Sequence, residues 1–341
     1  MHSKVNTILP TLTLSFLVAC LSIFISPEAH ASGPGNQNDF QGRRVLLIGI
    51  DGCRRDAMAQ VIAGGSAPNL ARLSREGHAC WNMEAGGPLI GKMNQPTISG
   101  PGWSTLLTGV FANKHGVLGN GEKFKKGNFQ SFPHFFRRLR ESKPNPWLGS
   151  VVGDTWPEVN SILIPLSGEM LTSRTTTVPS EQDEEQGKTR RLNDGNVAKE
   201  AVRCLEMDDP DVLFLHFLDV DHAGHQFGFG PASDPYIKTL QRLDSHLGAV
   251  LEAMKKRPRF TEESWLIVVM TDHGGIKKSH GGQTPEERDI FAFFHAASFP
   301  PVEERSGKVF QSMVVPTILN YLRVPILPSW GLEDQPLSET K

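Results

Sequence analysis

No excess of positive charge runs through this sequence. Its 35 lysines and arginines face 37 aspartates and glutamates, for a net charge of −2. A general nucleic-acid binder usually carries a strong basic surplus, so that class is excluded. Cysteine is scarce as well: only Cys20, Cys53, Cys80 and Cys204 are present. Without the N-terminal segment described next, three remain, an odd number that allows one internal disulfide at most. A disulfide scaffold is therefore excluded, and a chain of 341 residues does not need one. Internal repeats and low-complexity tracts are also lacking, which sets aside solenoids and fibrous architectures.

Long hydrophobic runs are lacking too, apart from residues 8–25. Lys4 precedes that run, and Ala29-His30-Ala31 follows it, just before Ser32. A positive start, an apolar middle and a small-x-small site describe a signal peptide over 1–31. An uncleaved transmembrane anchor is the competing reading, and the Ala-x-Ala site favours cleavage. Leu17-Val18-Ala19-Cys20 resembles a lipoprotein box, but the apolar run continues past Cys20, so lipid anchoring is the lesser alternative. Export to the periplasm or out of the cell is expected. Residues 32–42 read as a flexible polar leader, and no membrane span is expected beyond the signal.

What the chain does contain is a set of short apolar runs with acidic ends. Residues 45–50 are continuously apolar and stop at Asp51-Gly52. Runs at 212–218 and 266–271 are similar, ending beside Asp219 and Asp221 and beside Asp272 and His273. Such runs fit strands buried on both faces. Helical spacing appears over 68–76, 102–108, 194–205, 235–256 and 313–322. This alternation predicts an α/β fold, a three-layer sandwich with a central, mostly parallel sheet flanked by helices. Ligands bind beyond the carboxyl ends of such strands, where the acidic and histidine clusters fall. The catalytic domain is expected over 43–341. The less regular segment 121–192 reads as an insertion able to shape a substrate pocket, and its charge-dense part, 181–191, as a solvated surface loop.

Four clusters carry the chemistry: Asp51; Ser99 before Gly100-Pro101-Gly102-Trp103; Asp221 with His222 and His225; and Asp272-His273 followed by His280. Each alone has an ordinary explanation as a turn, a cap or a packed side chain. Together, carboxylates and imidazoles without cysteine suit divalent cations of the zinc or manganese kind.

The order of these motifs resembles the alkaline phosphatase superfamily, and within it the nucleotide pyrophosphatase/phosphodiesterase branch. The matching stretches include Ile50-Asp51-Gly52-Cys53-Arg54, Ala67-Pro68-Asn69-Leu70, Ser99 through Thr108-Gly109, His115-Gly116-Val117, Asp221 through His225, Thr271-Asp272-His273-Gly274 and His280-Gly281-Gly282. The resemblance implies two divalent ions, zinc with manganese as the alternative. Asp51, Asp272, His273 and Ser99 would hold one; Asp221, His225 and His280 would hold the other. Counting back from Gly109 makes Ser99 the nucleophile, with Thr97 the runner-up, and Asn120 the donor to a phosphate oxygen. Trp103 stands where sulfatases carry arginine, which disfavours a modified-serine sulfatase. The implied activity is hydrolysis of a phosphodiester or nucleotide pyrophosphate through a phosphoseryl intermediate; a phosphomonoesterase and a sulfatase-like enzyme are the alternatives. The partner is a small phosphate ester or nucleotide, with Arg54 and Trp103 as candidate substrate contacts. Cys53 reads as a packed thiol, and a pairing of Cys80 with Cys204 stays open.

Overall fold

In the computed structural model, residues 43–50 form β1 (Arg43–Ile50), buried from Arg44 onward. It lies between β7 (Val212–Phe217) and β8 (Ser264–Thr271) and runs parallel to both. Three adjacent apolar strands can be stable only if both faces of the sheet are covered. The other strands are β2 (His78–Glu84), β3 (Leu148–Gly153), β4 (Arg174–Val178), β5 (Glu181–Glu185), β6 (Lys188–Leu192), β9 (Asp289–His295) and β10 (Val309–Phe310). The main sheet has the order β10-β2-β9-β8-β1-β7-β3-β4, and β5 and β6 pair separately as a hairpin. In the main sheet only β9 runs against the rest, so the expected mostly parallel, helix-flanked sheet is what forms.

The structure describes residues 40–143, 145–168, 174–301 and 307–339, together with His2. The signal peptide, Cys20 and residues 32–39 of the leader lie outside the described residues. Asn38–Lys341 packs as one unit. Among the described residues no helix is long and apolar enough to cross a membrane.

Among the described residues, eleven helices complete the unit: α1 (Arg55–Ala63), α2 (Pro68–Glu76), α3 (Ser99–Thr108), α4 (Ala112–His115), α5 (Phe135–Ser142), α6 (Ile164–Leu166), α7 (Asp194–Met207), α8 (Asp219–Phe227), α9 (Asp234–Lys255), α10 (Pro285–Arg288) and α11 (Val314–Tyr321). Alternation along β1 divides them between two cores. Val45 and Leu47 join Trp103 and Leu106 of α3, Phe135 of α5 and Ile318 of α11. Leu46, Ile48 and Ile50 join Met58 of α1, Leu70 of α2, Val197 of α7 and Leu243 of α9. Each fully buried Leu or Phe is worth about 1.5–3 kcal/mol over exposure, so the two cores fix the helices on opposite faces.

The segment read as an insertion is not all peripheral. β3 pairs with β7 and β4 pairs with β3, so part of 121–192 extends the main sheet. Only the β5–β6 hairpin stands apart. Cys53, Cys80 and Cys204 are buried and no disulfide joins them, and burial raises the Cys53 thiol well above its ordinary pKa.

Candidate functional site

Register brings the site together. Ile50 of β1 pairs with Thr271 on one side and Phe217 on the other. The residues that follow these three, at the carboxyl ends of adjacent strands, are therefore neighbours. Asp51 follows β1, Asp272 and His273 follow β8, and α8 begins at Asp219, one residue beyond the end of β7. Within α8, Asp221 and His225 are four apart and share a face. Gly52 turns with φ +63, and a Cβ there would meet Asp221 Oδ1 at 2.5 Å. Gly102 on α3 plays the matching part for Asp272, whose Cβ would be 2.9 Å from any side chain at that position. These two glycines let the carboxylates reach the centre.

Ser99 is the first residue of α3, after Ile98 in extended conformation. Its Oγ lies 3.3 Å from Asp51 Oδ1 and 3.5 Å from His273 Nε2. Asp51 Oδ2 accepts hydrogen bonds from Trp103 Nε1 (2.8 Å) and His216 Nε2 (3.1 Å), which leaves Oδ1 turned toward Ser99. Gly52 N donates to Asp272 Oδ1 (3.1 Å). Asp51, Asp272 and His273 are wholly buried, and their ligand atoms lie within 4.8 Å of one another. Asp221, His273 and His280 form a second such group, so His273 borders both. His225, expected in the second group, is at its edge: Nε2 is 3.4 Å from Asp221 Oδ2 and 3.0 Å from His280 Nε2.

The donor set fits divalent cations for three reasons. First, Asp221 Oδ1 and Asp272 Oδ2 are buried without a hydrogen-bond partner, which is costly for a carboxylate oxygen. Second, the three imidazoles all turn Nδ1 onto a backbone carbonyl: His273 to Gly274 O (2.8 Å), His225 to Lys278 O (3.0 Å) and His280 to Thr97 O (3.0 Å). A carbonyl can only accept, so Nδ1 carries the proton and Nε2 is bare, the usual arrangement behind metal-binding histidines. The bare Nε2 atoms of His225 and His280 then face each other with no proton between them, as two ligands of one cation would. Third, the charges are unmatched. Burial, then the negative charge of Asp51, pushes Asp221 and Asp272 well above the ordinary carboxylate range. Burial also raises Asp51, but the His216 hydrogen bond, the electrostatic pull of the His273 and His216 rings, and the Trp103 hydrogen bond overcome it and hold that carboxyl far down. Burial lowers His273, and burial with His273 alongside lowers His280 to about 3. Neutral imidazoles beside desolvated carboxylates are poised for a cation.

Asn120 precedes a short turn at Gly121–Lys126, and its Oδ1 accepts from Gly100 N at 2.7 Å. This bond ties Asn120 to the residue that follows Ser99 and fixes the orientation of its amide. Thr97 serves the site differently from Ser99. Its hydroxyl donates to Gly282 O (2.8 Å) and accepts from Gly281 N (3.2 Å), and its carbonyl holds His280.

The two expected substrate contacts, Trp103 and Arg54, are both engaged within the protein. Trp103 is fully buried, with its ring against Phe214 and His216, so it supports Asp51 and has no face for a substrate. Arg54 is held by Asp56 through both Nε (2.9 Å) and Nη2 (2.5 Å), with Nη1 on Gly275 O (3.2 Å). His216 and the Thr97 carbonyl were not foreseen. A single histidine inside the apolar run of β7 was the visible signal for the first; a backbone carbonyl leaves none.

The comparisons agree with this geometry. A family model described as type I phosphodiesterase/nucleotide pyrophosphatase matches residues 45–283. A Schizosaccharomyces pombe protein described as an uncharacterized pyrophosphatase/phosphodiesterase is 26% identical over 271 residues, covering 75% of this chain and 49% of that protein. Human ectonucleotide pyrophosphatase/phosphodiesterase family member 1 is 24% identical over 246 residues, 69% of this chain and 24% of that one. The chain thus spans about half, or less, of the length of the curated relatives it matches. A solved Vibrio parahaemolyticus protein of the alkaline phosphatase superfamily superposes with TM-score 0.54 at 15% identity, covering 83% of this chain and 67% of that one, which shows a shared fold. With the family model matched from β1 to the loop beyond His280, the chain belongs to the type I phosphodiesterase/nucleotide pyrophosphatase family.

Proposed function

We propose that this chain is an exported, metal-dependent hydrolase that cleaves a phosphodiester or nucleotide pyrophosphate bond through a covalent intermediate on Ser99. One observation carries the reading: a serine hydroxyl at a helix start, 3.3 Å from Asp51 and 3.5 Å from His273, inside a buried cluster of unmatched carboxylates and bare imidazole nitrogens. Asp51, Asp272, His273 and Ser99 would hold one ion, and Asp221, His225 and His280 the other. A mixed nitrogen and oxygen donor set suits zinc, with manganese the alternative. When bound, such ions supply Lewis acidity that lowers the pKa of a serine hydroxyl and offsets phosphate charge.

The chain's own residues do the rest. Ser99 Oγ gives its proton to solvent and forms a bond to phosphorus as the bond to the leaving oxygen breaks, and the leaving oxygen takes a proton from solvent where its own pKa requires one. The amino end of α3 directs partial positive charge at the phosphoryl group. Asn120 Nδ2, oriented by the Gly100 amide, donates to a non-bridging oxygen. Water then cleaves the phosphoserine: its oxygen goes to phosphorus, a proton returns to Ser99 Oγ, and phosphate or its monoester departs.

Ser99→Ala should lower turnover of p-nitrophenyl phosphate, bis-p-nitrophenyl phosphate and p-nitrophenyl thymidine monophosphate by at least about 10³-fold. Elemental analysis should find metal retained. Wild-type rates in that variant would remove Ser99 from the mechanism. Fastest turnover of the simple monoester by the wild type would make the enzyme a phosphomonoesterase. Export is tested by the mass of the mature chain, expected to begin at Ser32 in the periplasmic or culture fraction.

A further inference from the structure

Tyrosine is scarce in this chain: the sequence has only Tyr236 and Tyr321. Tyr236 is the third residue of α9 and is wholly buried, with its ring centroid 5.8 Å from that of Phe229. Phenylalanine would fill the same space, so packing does not account for the hydroxyl. A phenol taken out of water needs hydrogen-bond partners. Tyr236 Oη has two, and both are backbone groups of the turn that follows Asp51. It donates to Gly52 O at 2.6 Å and accepts from Arg54 N at 2.9 Å. Burial pushes the phenol well above its ordinary pKa, so the proton it donates stays in place.

This turn is held from outside. Asp51 N donates to Phe217 O of β7 (2.9 Å), Gly52 N to Asp272 Oδ1 (3.1 Å), Cys53 N to Thr271 Oγ1 of β8 (3.0 Å) and Arg54 N to Tyr236. Gly52 is its centre, because it faces the other two carboxylates of the cluster. Its N–H reaches Asp272, and a Cβ on its α-carbon would lie 2.5 Å from Asp221 Oδ1. Its carbonyl is the group that Tyr236 grips. The bonds to Phe217 and Thr271 fix the turn from the sheet, and those to Tyr236 fix it from the helical layer.

We propose that Tyr236 is a positioning residue: by holding Gly52 O and Arg54 N it sets the spacing of Asp51, Asp221 and Asp272, and with it the affinity of the cluster for divalent cations. This inference rests on the metal-dependent reading above. Without the hydroxyl, the Gly52 carbonyl and the Arg54 amide lose a buried partner, and the Gly52 peptide is free to rotate. That rotation moves Asp51 next to it and the N–H that Asp272 accepts. A ligand set held less closely to its working geometry binds a cation less tightly.

The scarcity of tyrosine provides the control. Tyr236→Phe removes one oxygen and keeps the ring. Tyr321→Phe is the same change at the opposite end of the sheet, where Tyr321 Oη donates to Ser264 O (2.7 Å) at the start of β8. In full-length protein, competition with a chromogenic chelator should show zinc affinity lowered about tenfold or more in Tyr236→Phe, and within twofold of wild type in Tyr321→Phe. An affinity of Tyr236→Phe within twofold of wild type, or an equal loss in Tyr321→Phe, overturns the role and leaves Tyr236 as a support of the fold. If Tyr236→Phe does not fold, Tyr321→Phe protein labelled with 3-fluorotyrosine carries a single fluorine, at Tyr236. Its resonance should move when zinc is added, and an unmoved resonance overturns the role. A wild type that binds neither zinc nor manganese overturns this role and the proposed function together. A wild type that binds zinc but cleaves none of the three esters named above overturns the proposed function alone, and the zinc titration still judges Tyr236.

Discussion

The central strands carry buried charge at both ends and treat it in opposite ways. At the amino ends, Arg44 is the second residue of β1, while Asp211 and Glu263 directly precede β7 and β8. Arg44 pairs with Asp209 (2.9 Å) and Glu263 (3.0 Å), and Arg257 pairs with Glu263 (2.8 Å) and with Asp209. Burial raises Glu263, but Arg257, Trp265 and Arg44 more than reverse it, so the carboxyl ends below its ordinary range. At the carboxyl ends, among the described residues, Asp51, Asp221 and Asp272 have no arginine or lysine within ion-pair distance, imidazoles being their charge partners, and two of the three are pushed upward. The same desolvation thus yields a satisfied structural network at one end and an unmet demand for positive charge at the other. The comparison teaches where to look for a metal: where buried carboxylates lack the cations that the rest of the fold readily provides.

The comparison breaks first at its amino-terminal side. Arg44→Met should cost about 3–5 kcal/mol, because it removes the arginine 3.7 Å from buried Asp211 and one of the two that hold buried Glu263. Urea unfolding measures this directly, and a loss below about 1 kcal/mol would mean that the network is not what holds these strands.

At the other end the expectation reverses. Asp272→Asn removes a buried charge that the protein alone does not neutralise, so with chelator present it should be at least as stable as wild type. Metal at 100 to 1,000 times its dissociation constant should stabilise wild type by about 3–4 kcal/mol, and the variant by little. Thermal unfolding with and without chelator separates the two. A chelator-treated variant much weaker than chelator-treated wild type would show Asp272 to be structural.

This asymmetry explains how much was legible in the sequence. The apolar runs of β1, β7 and β8 and their acidic ends are contiguous in the chain, so the sheet, its direction and the position of the site could be read. Pro68–Glu76 forms as a helix with the expected bounds. The start of α3 was misplaced to residue 102, since Pro and Gly at 100–102 mask a helix that begins at Ser99. β3 and β4 were missed inside a segment dominated by Pro, Gly and charge: glycines interrupt the short apolar pattern of β3, and β4, at the sheet edge, is mostly threonine. Support for Asp51 from Trp103 and His216 depends on contacts across 52 and 165 residues of sequence, and no local spacing encodes those.

That support is the next place to sharpen the comparison. His216 donates to Asp51 Oδ2 from among the rings of Trp103, Phe214 and Trp156. His216→Phe preserves an aromatic ring there and deletes the donor. Metal affinity should fall about 10–100-fold, the usual effect of losing a group that orients a ligand. A competition titration with a chromogenic chelator reads it, and unchanged affinity would assign the orientation of Asp51 to Trp103 alone.

The smallest effect concerns histidines that neither end uses. His134 is wholly buried; its Nδ1 accepts from Phe136 N (3.1 Å) at the start of α5, and its ring stacks on Phe135. Burial lowers its pKa to about 3, and burial does the same to His115. An unfolded histidine takes up a proton near pH 6.5, whereas these stay neutral in the folded chain. Their contribution is therefore complete above pH 6.5 and is lost as pH falls from there toward 3, at about 1.4 kcal/mol per pH unit for each residue. Asparagine keeps an acceptor for the Phe136 amide and cannot titrate. In chelator-treated protein, His134→Asn should flatten the decline of stability between pH 6 and 4 by about 1.4 kcal/mol per unit, whatever packing it loses overall. Equal slopes in denaturant titrations across that window would mean that His134 is protonated in the folded state, and that a buried imidazole in this fold does not stay neutral simply because it is desolvated.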